Sequence, residues 1–244
     1  MTGGGGTLSR RLALALVEAE MSDEPRGVAA TLQRLCLAAT RDLELAGATV
    51  TLVPEIGSHT VAASSSGAMT RNEELQFGAG EGPTRDAYRR CEPVVVTNQG
   101  SLVARWPGYA PAAITAGVSA AFALPLHVGA AKLGALTLYW HSPRYPANGD
   151  LRVALVFADL ATEFLIDGSS GASNGLDPAL VSALETHGHI YVAQGMVMVD
   201  LEVGLPEALA RMRAQAYASG QDLAVLAGQI VDGEAVVMRD QNNN

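Results

Sequence analysis

The side chains that could perform covalent or metal chemistry are few in this 244-residue chain, and they are not spaced as catalytic sets. Cys36 and Cys91 fall in separate predicted elements, whereas thiol redox chemistry requires neighbouring thiols. The five histidines lack the ligand spacing of a zinc site, and no serine nucleophile elbow is present. His187 and His189 are two residues apart, so they diverge on a helix. We therefore expect a protein that is not an enzyme, with no catalytic residue, metal or cofactor.

A second candidate for chemistry is a glycine-rich approach to a predicted helix. Gly78, Gly80 and Gly82 precede Pro83, and proline favours the first turn of a helix. Two interpretations stay open: the free amides of the helix start face an anion, or the glycines supply the positive φ angles of a loop. We prefer the second. A phosphate loop is excluded because no Lys-Ser or Lys-Thr pair follows.

Charge argues against general binding of polyanions. The chain has a net charge of −9, and residues 176–240 combine nine acidic with three basic residues, a net charge of −6. Nucleic-acid binding usually leaves a basic footprint, which here would have to be local. Arg211 and Arg213 lie two residues apart on a predicted helix, so they point to different sides. We do not expect DNA as a partner.

The elements that must position these residues fall into two halves. Small and polar residues over Gly168–Gly175 predict a flexible linker between the halves. In the first half, helical spacing predicts helices over 25–46 and 150–167, the second with Asp150 as its N-cap. The strands between them, with a hairpin turn over 129–132, predict an α+β fold with a mixed or antiparallel sheet. The predicted strands are 48–53, 60–64, 93–97, 120–128 and 133–141.

Three helical patterns follow the linker. The first opens at Asp177-Pro178 and runs to Val199, the second begins near Pro206 and ends before Gly220, and the third spans 222–231. Gly195 lies inside the first helix at a cost of about 1 kcal/mol, which indicates a close approach there. Two explanations stay open, packing of the second helix and approach of RNA, and the first is preferred. The predicted core positions are Leu180, Leu184, Tyr191, Leu205, Leu209, Met212, Ala216, Leu223, Leu226 or Ala227, and Ile230.

The N-terminal segment predicts an amphipathic helix. Leu8, Leu12 and Leu16 are four residues apart, and acidic residues follow at once, unlike a secretory signal. The longest apolar runs are far shorter than the roughly 20 residues that a bilayer span requires. We expect a cytoplasmic protein that does not associate with membranes.

Motifs of the first half resemble the GAF domains of actinobacteria. The resemblance is carried by Gly80–Asn98, Arg105–Val118 and Ala123–Trp140 together with the closing helix, and it covers residues 8–167. It implies a sensory or dimerisation domain with a small-molecule pocket between sheet and helices. Candidates for lining that pocket are Tyr88, Trp106, His127 and Tyr139, although each is more readily explained as a packing residue. We assign no ligand. Relatives often have cysteine where this chain has Thr84.

Motifs of the second half resemble the ANTAR domain, a bacterial module that binds paired RNA hairpins and prevents transcription termination. The resemblance is carried by Ala193–Met198, Pro206–Ala216 and Asp222–Val231, within a domain over residues 176–240. It implies three helices and a homodimer formed through the first helix. The candidate RNA-binding residues are His187, Gln194, Gly195, Arg211, Arg213, Gln215 and Gln221.

Several basic positions of the ANTAR pattern are neutral or acidic in this chain. Gln194 stands where relatives commonly have lysine, Thr186-His187 replaces Ser-Arg, and Gly220–Leu223 replaces a basic stretch. Two hypotheses therefore stay open. The chain is either a homodimeric antitermination regulator that binds tandem RNA hairpins, or a GAF-mediated interaction or scaffold protein whose ANTAR domain has weak or no RNA affinity.

Overall fold

The computed structural model describes residue 13 and residues 27–53, 59–171 and 188–237, and the chain divides into two compact units. The first unit comprises Met1–Phe77 and Glu81–Val181, and the second comprises Gly78–Gly80 and Ser182–Asn244. We call them the α+β unit and the helical unit. Within the described ranges, no helix is long and apolar enough to cross a membrane, and no three His, Cys, Asp or Glu side chains are grouped as metal ligands.

A five-stranded antiparallel sheet forms the centre of the α+β unit. Its spatial order is β2-β1-β5-β4-β3, and all four strand pairs are antiparallel, which decides between the two predicted sheet types. A two-residue turn at Gly129 and Ala130 joins β4 to β5. Gly129 has a φ of 56°, the left-handed region that hairpin turns require. The strands are β1 (Gly47–Leu52), β2 (Thr60–Ser64), β3 (Val94–Val96), β4 (Ala120–Val128) and β5 (Ala131–Trp140).

Six helices among the described residues surround this sheet. The first and last were predicted, as was the helix that begins at Pro83, whereas the other three were not. The last helix continues to Gly171, so the first four residues of the predicted linker are helical. No proline interrupts them, and adding a turn to an existing helix is much easier than nucleating one. The helices are α1 (Val28–Asp42), α2 (Gly67–Ala79), α3 (Pro83–Arg90), α4 (Gln99–Arg105), α5 (Ala110–Thr115) and α6 (Asn148–Gly171).

One face of the sheet packs against α1 and α6 to form the apolar core. Because side chains alternate between the faces of a strand, every second residue of β4 and β5 enters this core. Cys36 of α1 is fully buried in it, and burial raises the pKa of its thiol well above the ordinary value. The thiol is therefore protonated and serves as a small apolar group. Central members are Leu32, Leu35, Val50, Phe122, Leu124, Leu136, Leu138, Phe157 and Leu160.

The opposite face of the sheet is polar. Thr49, Thr51, Thr137 and Tyr139 all lie on it and are fully buried. Helix α3 packs on strands β4 and β5 there, and α2 contributes side chains to the same interior. A buried polar face must find hydrogen-bond partners, so this side of the sheet is where the α+β unit can hold a functional site.

Asp150 stabilises the start of α6, although not as the predicted N-cap. The helix begins at Asn148, which places Asp150 at its third residue. The Asp150 carboxylate accepts hydrogen bonds from the Ala147 amide at 3.0 Å and from the Arg144 guanidinium at 2.7 Å. Reaching back to the residue before the helix is the reciprocal half of a capping box.

The described part of the helical unit, residues 188–237, contains α7 (Gly188–Leu201), α8 (Leu205–Ser219) and α9 (Leu223–Val231). Gly220 ends α8 with a φ of 65°, as predicted, and all four candidate core positions of α9 are buried. Leu205 was predicted to be buried but is 42% exposed, because Ala208 takes its place on the buried side of α8. Predicted positions before residue 188 lie outside the described residues. The core contains Ile190, Ala193, Val197, Ala208, Leu209, Met212, Ala216, Leu223, Leu226, Ala227 and Ile230.

Gly134 lies where strands β1 and β5 approach each other closely, and its replacement tests that approach. It lies opposite Leu52 on β1, and an added Cβ would clash with the Thr51 carbonyl and come within 3.0 Å of the Leu52 Cα. We expect Gly134→Ala to lower the free energy of unfolding by about 1–3 kcal/mol, as forced overpacking does. Chemical denaturation measures this change. Gly149→Ala is the control, because an added Cβ meets nothing within 4 Å there; equal stability of both variants would contradict the close approach.

Candidate functional sites

Gln194 of the helical unit faces inward. Its side chain is only 9% exposed, and its amide nitrogen donates a hydrogen bond to the Leu205 carbonyl at 2.7 Å. This bond joins α7 to the first residue of α8. The amide is thus occupied in holding the connection between the two helices, and the structure places it away from the surface where it was predicted to contact RNA.

Arg211 and Arg213 lie on opposite flanks of the buried stripe of α8, because two helical positions differ by about 200°. The Arg211 side chain is 26% exposed and donates to the Glu207 carboxylate from Nε at 3.1 Å and from Nη2 at 2.7 Å. On the same flank, Gln215 Nε2 donates to the Val236 carbonyl at 3.2 Å. This flank is already partly neutralised by an acid.

The Arg213 flank combines a half-buried cation with an exposed aromatic ring. Burial raises the pKa of Tyr191 to about 12, and the nearby charge of Arg213 opposes that rise. One turn after Arg213, Tyr217 is 79% exposed. The sequence analysis did not single out Tyr217, although its position four residues after Arg213 places both on one helix face. An exposed aromatic ring beside a guanidinium can stack on an unpaired base.

The remaining candidates of the helical unit are placed as follows. A Cβ at Gly195 would meet nothing within 4 Å, so packing of the second helix does not explain this glycine. Gln221 is half-buried directly after α8, and its backbone amide donates to the Ala216 carbonyl at 3.0 Å. His187 lies outside the described residues. The predicted set therefore does not form one continuous surface.

In the α+β unit, a buried carboxyl is the centre of the polar face. Glu73 of α2 is 2% exposed, and the ion pairs between described residues do not include it. Its Oε1 accepts hydrogen bonds from Thr49 at 2.7 Å, Thr84 at 3.1 Å and Tyr139 at 2.5 Å. Hydroxyl groups from three different elements thus replace the missing counter-charge.

Gln76 connects this carboxyl to the start of α3. Its Nε2 donates to Tyr139 at 2.8 Å and to Thr84 at 2.9 Å, while its Oε1 accepts the Thr84 amide at 2.9 Å. Gly82 permits this arrangement, because its φ is 145° and a Cβ there would clash with the Gln76 side chain. The amide of Thr84 in the first turn of α3 is therefore satisfied by Gln76. This supports the loop interpretation of the glycine-rich approach over anion binding.

Glu81 joins the two most distinctive loops of the α+β unit. Its carboxylate accepts hydrogen bonds from the amides of Gly108, at 2.5 Å, and Tyr109, at 3.1 Å. Tyr109 is fully buried and donates from its hydroxyl to Asn72 at 3.0 Å. The sequence analysis quoted both loops as motifs but assigned no role to either Glu81 or Asn72, because the pairing is between residues far apart in sequence.

The four predicted pocket residues lie in different surroundings. Only Tyr139 belongs to the buried polar cluster. Trp106 is buried beneath the Arg105 guanidinium, which lies 4.2 Å from the ring centre. Tyr88 is half-buried beside Lys132, and His127 is exposed near the hairpin turn. His127 lies next to the end of β4, where the hairpin extends beyond the covering helices.

Burial is the largest influence on the Glu73 pKa, and it raises the value above the ordinary 4.5, against the lowering effect of the hydroxyl donors. Burial and the Glu73 charge together raise the pKa of Tyr139 well above its ordinary value. A folded state that holds the Glu73 proton more tightly than the unfolded chain is stabilised at low pH. That contribution is fully present below pH 4.5 and is lost as pH rises through the folded-state pKa.

Glu73→Gln removes this titration while keeping the size of the side chain. We expect the parent protein to lose stability relative to Glu73→Gln as pH rises above 4.5, by up to about 1.4 kcal/mol per pH unit until the folded-state pKa is passed. Denaturant unfolding at a series of pH values gives the difference curve. Glu74→Gln, an exposed neighbour on the same helix, is the control and should follow the parent. A flat difference curve for Glu73→Gln would contradict the role of burial.

Solved structures similar to this chain share its α+β fold at low sequence identity. The GAF domain of an Acinetobacter phosphoenolpyruvate-protein phosphotransferase matches with a TM-score of 0.51 and 10% identity, over 69% of this chain and 98% of that one. A domain of a putative two-component sensor histidine kinase from Sinorhizobium meliloti 1021 matches with a TM-score of 0.50 and 16% identity, over 60% and 95%. At these identities the likeness shows the fold alone. No curated protein matches the chain.

Family models identify both halves. The GAF domain model matches residues 25–165, and the ANTAR domain model matches residues 179–231. Both resemblances drawn from the sequence motifs are thereby confirmed, together with the α+β unit and the C-terminal helices that they imply. The chain belongs to the GAF-domain family and carries a C-terminal ANTAR domain, which is known as an RNA-binding antitermination module.

Proposed function

We propose that this protein is a cytoplasmic, non-enzymatic regulator that binds tandem RNA hairpins and prevents transcription termination, with its GAF domain receiving the signal. The observation that carries the proposal is the ANTAR match over residues 179–231, which includes all three described helices of the helical unit. The GAF match adds a sensory domain to the same chain. A sensor fused to an RNA-binding module is suited to regulating a nascent transcript.

The Arg213 flank of α8 is the proposed RNA-contacting surface. Tyr217 supplies an exposed ring for a splayed base, and the half-buried Arg213, whose Nη2 is buried, supplies positive charge beside it. Gly195 leaves open space on α7, where a larger residue would limit how closely RNA can approach. Arg211 acts in a secondary role, because a phosphate would have to compete with Glu207 for its guanidinium.

A second copy of the chain is the proposed partner of the remaining apolar surface. Val192 and Val199 are 53% and 68% exposed, and Met196 between them is 37% exposed, at positions that share one face of α7. In the α+β unit, Leu155 of α6 is 49% exposed. Apolar rows of this kind favour helix pairing, so we propose a homodimer formed through the GAF domain and the first ANTAR helix.

The alternative function is a GAF-mediated interaction or scaffold protein with weak or no RNA affinity. It is favoured by the net charge of −6 over residues 176–240, by the pairing of Arg211 with Glu207, and by the burial of Gln194. Under this hypothesis, a pull-down recovers a stable protein partner even after Arg211 and Arg213 are both replaced. If the amount of partner falls together with the amount of bound RNA, the scaffold hypothesis is excluded.

Replacement of both helix arginines tests the RNA-binding proposal. We expect the parent dimer to bind a tandem-hairpin RNA from its own transcripts, and Arg211→Ala/Arg213→Ala to bind at least about tenfold more weakly, with the slope of log affinity against log salt reduced by about 2. Filter binding at several salt concentrations gives both quantities. The control Arg41→Ala/Arg71→Ala removes two exposed arginines of the α+β unit, one on α1 and one on α2. Absence of salt-sensitive binding by the parent would contradict the proposal.

Gly195→Ala distinguishes the effect of Gly195 on stability from its proposed role in RNA binding. Because the site is open, alanine should raise the free energy of unfolding by about 1 kcal/mol. We expect the same variant to bind RNA more weakly, with unchanged dimer mass in light scattering. Gly228→Ala on α9 is the control, since a Cβ there also meets nothing within 4 Å. Unchanged RNA affinity in Gly195→Ala would show that RNA does not use this opening.

A further inference from the structure

Basic side chains are concentrated on one surface of the α+β unit that the proposed function does not use. Of the twelve lysines and arginines in the described ranges, five lie on or beside α3. The acids on α3 or within two residues of its ends are Glu81, Asp86 and Glu92. We call this the α3 basic surface. It consists of Arg85, Arg89 and Arg90 on α3, Arg105 at the end of α4, and Lys132 on β5.

Contacts show that these side chains form one continuous surface. Arg85 and Arg89 are four residues apart on α3, so they share a face. Arg90 and Arg105 both approach the Asp86 carboxylate, at 3.6 Å and 3.8 Å. Lys132 donates from Nζ to the Arg89 carbonyl at 2.7 Å, which brings β5 to the last turn of the helix.

The surface keeps most of its positive charge exposed. Arg89, Arg105 and Lys132 are exposed, and the Arg90 side chain is 62% exposed, while Asp86 is only 20% exposed and is shared between two arginines. Burial lowers the pKa of Arg85, and the charge of Arg89 lowers it further. Like charges are thus held close together without enough acids to neutralise them. An anionic ligand would relieve that repulsion.

We propose that the α3 basic surface binds the phosphate backbone of RNA. This inference extends the proposed function, because it assigns part of the RNA affinity to the GAF domain. Within residues 176–240, nine acids oppose three bases, whereas RNA affinity depends mainly on phosphate neutralisation. The α3 basic surface supplies the positive charge that this segment lacks.

The composition of the surface favours phosphate over an acidic protein. Four of its five cations are arginines, whose planar guanidinium groups bind phosphate oxygens through paired hydrogen bonds. Contacts of this kind position the backbone and carry no sequence information.

Charge reversal in the full-length protein tests the inference. Arg89→Glu/Arg90→Glu changes the α3 basic surface, and Arg41→Glu/Arg71→Glu makes the same change of net charge at exposed arginines elsewhere in the α+β unit. The probes are a synthetic RNA with two tandem hairpins and an unrelated duplex RNA. We expect the surface variant to lose at least about tenfold in affinity for both RNAs and about 2 in salt slope, since each phosphate contact contributes about 1. The control should lose less than about threefold.

Each result decides between the claims. Equal affinities and salt slopes in the surface variant and its control overturn the inference but leave the proposed function in place, provided that Arg211→Ala/Arg213→Ala weakens binding. Failure of the parent to bind either RNA overturns both. If the surface variant keeps its RNA affinity and loses an acidic protein partner instead, the surface is a protein interface and the inference is wrong. Thermal unfolding and light scattering of both variants separate a lost contact from a lost fold or dimer.

Discussion

The need to satisfy a buried carboxyl organises the α+β unit. Glu73 lies between the sheet and its covering helices with hydroxyl donors around it, and an unsatisfied buried carboxyl would be very costly. Its partners come from β1, the start of α3 and β5, so each of these elements has a defined position relative to α2. Gly82 and Gln76 serve the same requirement. The loop before α3 must pass close to the Gln76 side chain so that Thr84 can hydrogen-bond within the cluster, and glycine at position 82 leaves room for this contact. A disturbance at Glu73 is therefore transmitted to four elements.

In the helical unit, the net negative charge limits RNA binding and not folding. Three short helices pack around a small apolar core, and this packing requires only apolar residues at the right spacing. RNA binding adds a separate requirement for exposed positive charge, which residues 176–240 meet poorly. Fold and function are therefore encoded by different residues of the same helices. This separation explains how a chain can match the ANTAR family over all three helices while the most obvious basic side chain, Arg211, is paired with an acid.

Local patterns allowed much of the fold to be predicted. Runs of strand-forming residues next to turn residues gave the bounds of β2 and β4 correctly, and the spacing of Leu223, Leu226 and Ile230 gave the buried side of α9. Helix α2 was missed because the residues it buries include Asn72, Glu73 and Gln76, so its sequence shows no apolar stripe. Its polar residues are buried only because long-range partners on the sheet satisfy them. Such partners cannot be recognised from spacing along the chain.

The candidate sites were harder to predict, because they depend on the direction of individual side chains. The family motif places Gln194 at an RNA-contacting position, yet its amide turns inward to the Leu205 carbonyl. Tyr217 and the α3 basic surface have no motif of their own, and they become recognisable only once exposure and neighbouring charge are known. The four predicted pocket residues were chosen by residue type. Their distribution over a hairpin turn, a helix surface and the buried cluster follows from the topology.

The central claim is that this chain regulates transcripts by binding their hairpins. Crosslinking of the protein to RNA in its native cells, followed by sequencing of the bound fragments, tests the claim most directly. The account predicts enrichment of transcripts with two adjacent hairpins of which one overlaps a terminator, and loss of that enrichment when Arg211 and Arg213 are both replaced by alanine. Bound fragments that match the uncrosslinked background, or an enrichment that is unchanged in the variant, would contradict it.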